Sequence, residues 1–206
     1  RTRMVSPTGE LVYAFDAYGR PSTTTEVGYG TTSYVYEALT GRLQSETNPL
    51  GETTTYSYDP ATGRNWRLVH GNGTAEEFGF DARGRFSTIT LRESVSGSTL
   101  RAQAYTYYLD SRVETHTVAG VATTYGYDGD GQLVSESRPG YAATYTYDGN
   151  YNRLSRTVNG VTDVYTVNSQ DQLTKVSRTG STDRVFEYDA AGRMTAERAG
   201  AGGAVV

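Results

Sequence analysis

The sequence predicts an all-β fold, a repetitive antiparallel β-hairpin meander that forms a spiralling sheet or shell segment. Three observations predict it. Two aromatic residues one position apart, followed by an acid, recur along the 206 residues in nine loosely matching copies. A turn signal follows these copies, and a segment rich in Val, Thr and Ser then ends in a second turn signal. No stretch shows the periodicity of an amphipathic helix.

The clearest copy occupies residues 125–133. Alternate side chains of a strand point to the same face, so Tyr125 and Tyr127 share a face. Asp128 then starts a type I turn, and Gly131 supplies the positive φ that closes it as a bulged hairpin. The chain therefore reverses, and a return strand begins directly after the turn.

A fixed period relates the nine copies. Aligned on the residue after the second aromatic, they fall at positions 16, 37, 59, 81, 108, 128, 148, 168 and 189, in steps of 20 to 22 residues with one of 27. Such a period indicates a repeat architecture. We therefore expect one repeat region over residues 1–206, with about nine repeats in 13–194 and a Gly/Ala-rich tail or the start of another repeat in 195–206. The long step predicts a lengthened loop at the polar residues 92–99.

The paired aromatics are predicted to form two adjacent stripes of rings, because they recur at the same place in each hairpin. Offset or edge-to-face contacts between rings of neighbouring repeats are worth about 0.5 to 1.5 kcal/mol beyond area burial. Each repeat depends on its neighbours to shelter its rings. The predicted structural stripe consists of Tyr13, Phe15, Tyr34, Tyr36, Tyr56, Tyr58, Phe78, Phe80, Tyr105, Tyr107, Tyr125, Tyr127, Tyr145, Tyr147, Tyr165, Phe186 and Tyr188.

The turn residues form a second set with a structural task. Asn152 and Asp171 are expected at glycine positions, since Asn and Asp enter the left-handed region at tolerable cost. The Arg after many turns lies near the preceding acid, and we interpret this exposed pair, worth at most about 1 kcal/mol, as a register marker. The predicted turn residues are Asp16, Gly19, Asp59, Gly63, Asp81, Gly84, Asp128, Gly131, Asp148, Asn152, Asp189 and Gly192.

The whole pattern predicts about eighteen strands. At about 4.8 Å between strands, a meander of that size extends about 85 Å. Open sheets of this width curl, because each strand is twisted relative to the next. The sequence therefore predicts a curved wall rather than a flat sheet.

Composition argues against several classes of function. The net charge of −4 is spread along the chain, which favours neither a nucleic-acid partner nor a polybasic membrane patch. The absence of cysteine excludes disulfides and thiolate metal sites, and no apolar run has the length of about 18 residues that a membrane span needs. The sequence begins with Arg, so we expect a piece of a longer chain whose export signal lies elsewhere.

No group of residues predicts catalysis. His70 and His116 lie in different repeats without a motif, whereas an active site needs a cluster of perturbed groups in a pocket. The acid pairs, Asp128 with Asp130 and Glu76 with Glu77, are interpreted as solvated turn carboxylates. We therefore predict no enzyme, no catalytic residue, no metal and no cofactor.

The pattern Tyr-x-Tyr-Asp-x-x-Gly-Arg-Leu at this spacing resembles the YD repeat of the Rhs/YD-repeat family, and the resemblance covers residues 13–194. That family includes bacterial polymorphic toxins, the BC component of Tc toxin complexes and the teneurin adhesion receptors. The resemblance implies a spiralling β-sheet that builds a hollow shell, which in the toxins encloses a C-terminal toxic domain. It also implies a secreted or cell-surface protein, here of bacterial type.

One family feature is missing from these residues. The self-cleaving segment of Rhs proteins is centred on an Asp-Pro-x-Gly-Leu run, whereas Asp59-Pro60 here continues into an ordinary repeat turn. Neither self-cleavage nor toxin activity is therefore expected of this segment.

Three functions remain open from the sequence. The leading hypothesis is a non-enzymatic wall segment, whose partners are flanking YD repeats of the same parent chain and an enclosed polypeptide such as a toxin domain. The second is an extracellular adhesion or glycan-binding module with cell-surface partners, since rings in a concave wall stack on sugars. The third is a self-assembling surface fibre subunit.

Overall fold

The structure is a computed structural model that describes residues 2–6, 9–200 and 202–204. Nineteen β-strands and no helix lie in these residues, so they contain no helix of the length and apolarity that a bilayer requires. Every strand pairing with a defined register is antiparallel and joins strands adjacent in sequence, which confirms the predicted all-β hairpin meander. The chain divides into two compact units, residues 1–105 and 106–206.

The first unit contains nine complete strands and the larger part of a tenth. The aromatic strands pair with their return strands, as where Tyr13 lies opposite Thr24. The strands are β1 (Arg3–Ser6), β2 (Gly9–Phe15), β3 (Pro21–Glu26), β4 (Gly30–Tyr36), β5 (Leu43–Thr47), β6 (Thr53–Tyr58), β7 (Asn65–Val69), β8 (Ala75–Phe80), β9 (Phe86–Arg92) and β10 (Thr99–Tyr107).

The second unit repeats the same plan in its own strands. Tyr145 lies opposite Arg156, for example, in the pair of β14 and β15. Its strands are β11 (Val113–Val118), β12 (Val121–Tyr127), β13 (Leu133–Arg138), β14 (Tyr141–Tyr147), β15 (Arg153–Val158), β16 (Val161–Val167), β17 (Leu173–Arg178), β18 (Arg184–Tyr188) and β19 (Met194–Ala199).

The predicted bulged turn is confirmed at the opening example of the repeat. The amide of Asp128 donates to the carbonyl of Gln132 at 3.0 Å, and the amide of Gly131 donates to the carbonyl of Asp128 at 3.2 Å. Gly131 has a φ of 87°. The left-handed residue therefore closes the turn, and the return strand begins directly after it.

A second irregularity, which the sequence pattern did not predict, follows the turns of eight repeats. Val35 lies opposite Ser45, but Tyr36 lies opposite Leu43, so Gln44 is one residue too many on the return strand. Such a bulge bends the strand and increases its twist. The same shift occurs opposite Phe15, Tyr58, Phe80, Tyr127, Tyr147, Val167 and Tyr188.

The seventh turn corrects the prediction for Asn152. Its left-handed residue is Tyr151, with a φ of 67°, and the amide of Tyr151 donates to the carbonyl of Asp148 at 3.1 Å. Asn152 lies one place later, where other repeats have Arg or Gln, and its Nδ2 donates to Asp148 Oδ2 at 3.1 Å. Asp171, with a φ of 58°, occupies the glycine position as predicted.

The predicted lengthened loop is present between β9 and β10. It comprises residues 93–98, and the amide of Gly97 donates to the carbonyl of Ser94 at 3.1 Å. Of the C-terminal residues predicted to form a tail or another repeat, positions 201, 205 and 206 lie outside the described residues, so that assignment stays a prediction.

The units have very little fully buried surface. Within the described part of the chain, only Ala75, Thr123, Ala143 and Asp163 are buried. Most aromatic side chains are instead half-buried. Packing in each unit therefore depends on contacts between side chains along the sheet surface rather than on a closed apolar core.

Candidate functional site

Each turn acid organises the turn that follows it. Asp81 Oδ1 accepts hydrogen bonds from the amides of Arg83 and Arg85, both at 2.9 Å, while Asp81 Oδ2 accepts one from Arg85 Nε at 2.7 Å. The same arrangement recurs at Asp16 with Arg20 and at Asp189 with Arg193. The arginine is thereby fixed at the start of the return strand.

These hydrogen bonds stabilise the charged form of the acid. The bond from the backbone amide of Arg85 is the largest cause that lowers the pKa of Asp81, and the amide of Arg193 has the same effect on the pKa of Asp189. At Asp148, the amide side chain of Asn152 is the largest cause of the lowered pKa. The turns are therefore built around ionised carboxylates at neutral pH.

The second tyrosine of a repeat donates a hydrogen bond to the repeat before it. Tyr58 Oη lies 2.8 Å from the carbonyl oxygen of Leu43, the residue that follows the preceding turn, at the bulge. The equivalent bonds join Tyr36 to Pro21, Tyr147 to Leu133 and Tyr188 to Leu173, at 2.8 to 2.9 Å. Each hydroxyl thus satisfies a carbonyl at a point where the strand register is broken.

In four repeats, the arginine of the turn covers a ring of the next repeat. The guanidinium carbon of Arg20 lies 4.2 Å from the centre of the Tyr36 ring, and that of Arg42 lies 4.4 Å from the centre of the Tyr58 ring. Contacts of the same kind join Arg64 to Phe80 and Arg112 to Tyr127, at 5.3 and 4.9 Å. These distances suit a cation–π interaction. We call the combined tyrosine and arginine contacts between successive repeats the repeat junction.

Turn glycines make room for the repeat junction. A Cβ atom on Gly41 would lie 3.0 Å from Nη1 of Arg20, and one on Gly63 would lie 3.3 Å from Nη1 of Arg42. These glycines therefore have two tasks, since they also adopt a φ of 71° in their own turns.

The repeat junction changes the predicted role of the arginine. The proximity of Arg20 to its own turn acid, Asp16, is confirmed at 2.7 Å. The further contact with the next repeat was not anticipated from sequence. A ring-to-ring contact between neighbouring repeats joins Tyr127 to Tyr108, with ring centres 6.1 Å apart at an angle of 87°. Tyr108 lies at the acid position of the fifth repeat and was not part of the predicted stripe.

Half-burial raises the pKa of several tyrosine hydroxyls. Desolvation is the largest cause that raises the pKa of Tyr58 and of Tyr127. Desolvation, with a hydrogen bond to Glu46, raises the pKa of Tyr56 to about 12. At neutral pH these hydroxyls are therefore hydrogen-bond donors rather than acids or nucleophiles.

The model of the RHS repeat matches two parts of the sequence, residues 39–64 and 167–204. Both parts contain turns and bulges of the kind described above. These two segments match the RHS repeat, the repeat that the sequence pattern resembles.

Solved structures with the same fold cover 92% of this chain. They are a TcdB2-TccC3-Cdc42 crystal structure (TM-score 0.63, 17% identity), a TcdB2-TccC3 crystal structure (TM-score 0.63, 17% identity) and the Tc holotoxin pore of Photorhabdus luminescens (TM-score 0.61, 16% identity). This chain spans only 13 to 14% of the length of those chains. No curated protein sequence matches it.

Glu76 and Glu77 lie in strand β8 and not in a turn, which corrects the interpretation of this acid pair. Glu76 and Glu77 point to opposite faces, since Glu76 lies 3.4 Å from His70 while Glu77 accepts hydrogen bonds from Arg67 and Arg92 at 2.6 and 2.9 Å. Across the described residues, no group of three or more His, Cys, Asp or Glu is placed to hold a metal ion.

The predicted acid pair at Asp128 and Asp130 is part of a turn. Asp128 Oδ1 accepts from the amides of Asp130 and Gln132 at 3.1 and 2.8 Å, and Oδ2 accepts from Gln132 Nε2 at 3.0 Å. With its oxygens engaged in this way, Asp128 holds the turn together.

Proposed function

We propose that this chain is a non-enzymatic structural segment of an RHS-repeat β-shell that encloses a polypeptide, such as a toxin domain, in an exported bacterial protein. The segment is one repeat region of a longer chain. Its partners are the flanking repeats, which continue the same antiparallel pairing, and the enclosed polypeptide.

The repeat junction is the observation that carries this proposal. Each repeat is a hairpin too small to shelter its own rings, and the contacts of Arg42 and Tyr58 illustrate how it is joined to the next. A chain of such hairpins grows by nearest-neighbour contacts into a continuous sheet of any length. This is what a wall requires, and it needs no catalytic centre.

The same contacts argue against sugar stacking as the task of the stripe. The ring of Tyr36 is covered by the guanidinium of Arg20, and the hydroxyl of Tyr36 is bonded to a backbone carbonyl. A ring that binds a sugar needs an uncovered face. The stripe is therefore better suited to building the sheet than to binding a glycan.

Electron microscopy of the longer parent protein, combined with limited proteolysis, tests the proposal. We expect a wall of β-strands around separate internal density, and an enclosed polypeptide that resists protease until the wall is opened by denaturant. A parent protein from which the enclosed polypeptide has been deleted is the control, and should keep its wall around an empty interior. A compact globule without a cavity, or an open fibre, would contradict the proposal.

A further inference from the structure

Four arginines line one groove in the second unit. Arg153, Arg156, Arg178 and Arg184 surround a surface groove of about 680 Å³ together with Asp163, Tyr165 and a few neighbouring side chains. Strand register explains why they share a face. Residues that lie opposite each other on neighbouring strands point to the same face of a sheet. Arg178 lies opposite Asp163, and Arg156 lies opposite Tyr145. Val176 lies opposite Tyr165 on one side and opposite Arg184 on the other. We call this the arginine groove.

Positive charge is in excess in the arginine groove. Asp163, only 7% exposed, accepts two hydrogen bonds from Arg178 at 2.6 and 2.9 Å and lies 3.8 Å from Arg156. Arg184 pairs with Glu197 at 2.6 Å. Four guanidinium groups are thus balanced by two carboxylates, which leaves two positive charges.

Arg153 carries much of this excess. Its guanidinium lies over the Tyr165 ring at 4.5 Å, and within the described parts of the chain no carboxylate oxygen lies within 4.0 Å of it. Arg153 stands where the sixth repeat has Leu133, so its side chain reaches the groove from a position that is normally apolar. Arg153 is exposed, and an exposed cation without a carboxylate partner attracts anions.

The groove already shows which anion it accommodates. Arg178 holds the Asp163 carboxylate through two parallel hydrogen bonds, the fork geometry in which arginine recognises carboxylates. The side chains of Arg178 and Arg184 are 49% and 57% exposed, so N–H groups of both remain available to a second carboxylate.

We propose that the arginine groove binds the carboxylate side chains of an acidic polypeptide segment. This deepens the proposed function, on which it rests for the presence of an enclosed polypeptide, by naming the chemistry through which the wall contacts that polypeptide. The volume of the groove is in the range of sites that accept small ligands, so it suits one or two Asp or Glu side chains rather than a folded domain.

Binding of a fluorescent peptide of alternating Glu and Gly to the full chain tests the proposal. We expect saturable binding that weakens with added salt, and about a tenfold or greater rise in Kd for the double variant R153Q/R156Q, because two charges facing the ligand are lost. The matched control K175Q/R198Q removes two charges from the opposite face and should leave Kd within about twofold. Circular dichroism and thermal unfolding verify that both variants are folded.

Three outcomes of the binding experiment would overturn the proposal. Equal loss of binding in the control variant would show a general charge effect, and unchanged binding in R153Q/R156Q would place the peptide elsewhere. Preference for a heparin oligosaccharide over the Glu peptide, lost in the same variant, would identify a sulfated glycan as the ligand. If the double variant unfolds, R153Q alone supplies the test, since Arg153 has no ion pair to lose. Peptide binding by the isolated chain does not require a closed shell, so failure here is distinguishable from failure of encapsulation.

Discussion

The second aromatic residues of the second and third repeats, Tyr36 and Tyr58, each hold two contacts with the repeat before them. Tyr58 donates its hydroxyl proton to the carbonyl of Leu43 and receives the guanidinium of Arg42 on its ring. Neither contact is large, since a net hydrogen bond is worth about 0.5 to 1.5 kcal/mol and an exposed cation–π contact about 0.5 to 1 kcal/mol. Repetition along the chain makes their sum important for a protein with little fully buried surface.

A bulky residue in the left-handed region gives a prediction at the residue scale. Tyr151 has a φ of 67° and is 64% exposed, so it bears a conformational cost with little packing in return. Tyr151→Gly should stabilise the chain by about 0.5 to 1 kcal/mol. Glycine adopts this conformation without the Cβ penalty, and the gain is reduced by the greater conformational entropy of glycine in the unfolded state. Urea unfolding measures the change. Tyr18→Gly, at a turn position without positive φ, is the control and should not stabilise; a loss of stability in Tyr151→Gly would contradict the expectation.

The turn and bulge form the recurring element, and how far sequence predicts it depends on the residue. Asp and Gly carry the turn by local chemistry, so Asp128 and Gly131 were predictable. Asn152 was placed one position wrong, because Asn is a common left-handed residue and Tyr151 is not. The contact of the Arg42 guanidinium with the Tyr58 ring of the next repeat was not predictable. It depends on the spacing and twist of the strands rather than on any local pattern.

Alanine substitutions at turn glycines distinguish two roles of these residues. One is to adopt a positive φ, and the other is to leave space for an arginine of the preceding repeat. Gly84 and Gly120 have nearly equal φ values of 79° and 80°, but a Cβ on Gly84 would overlap the guanidinium of Arg64, whereas one on Gly120 has open space within 4 Å. Gly120→Ala should therefore cost only the left-handed penalty, about 1 kcal/mol. Gly84→Ala should cost more, since it also displaces Arg64 from the Phe80 ring.

The comparison of unfolding free energies for these two alanine variants measures the displacement. A larger loss for Gly84→Ala than for Gly120→Ala is the expected order. Equal losses, or the reverse order, would show that the guanidinium of Arg64 moves aside at no cost and that the contact with Phe80 contributes nothing.

For the molecule as a whole, stability is expected to fall in acid. Asp81, Asp148 and Asp189 all have pKa values lowered by hydrogen bonds within their turns. A carboxylate whose folded pKa lies below its unfolded pKa stabilises the fold above the unfolded value, near 4, and this contribution disappears as the pH falls through the folded value. The repetition of such turns along the chain adds their contributions.

Urea unfolding at pH 7 and at pH 3, at equal ionic strength, checks this dependence. The midpoint should be lower at pH 3, and Asp81→Asn should lose less on acidification than the unsubstituted chain, because its turn acceptor no longer titrates. A midpoint that is constant or rises between pH 7 and pH 3 would show that the turn carboxylates do not stabilise the folded state.

Coupling between Arg42 and Tyr58 is the most direct measure of whether successive repeats hold each other in one continuous sheet. A double-mutant cycle of Arg42→Gln and Tyr58→Leu, followed by urea unfolding, isolates this interaction. The repeat junction predicts a coupling energy of about 0.5 to 1 kcal/mol for this pair, and none for Arg42→Gln combined with Tyr18→Leu, whose ring lies at the tip of an earlier turn. A coupling of zero between Arg42 and Tyr58 would contradict the account.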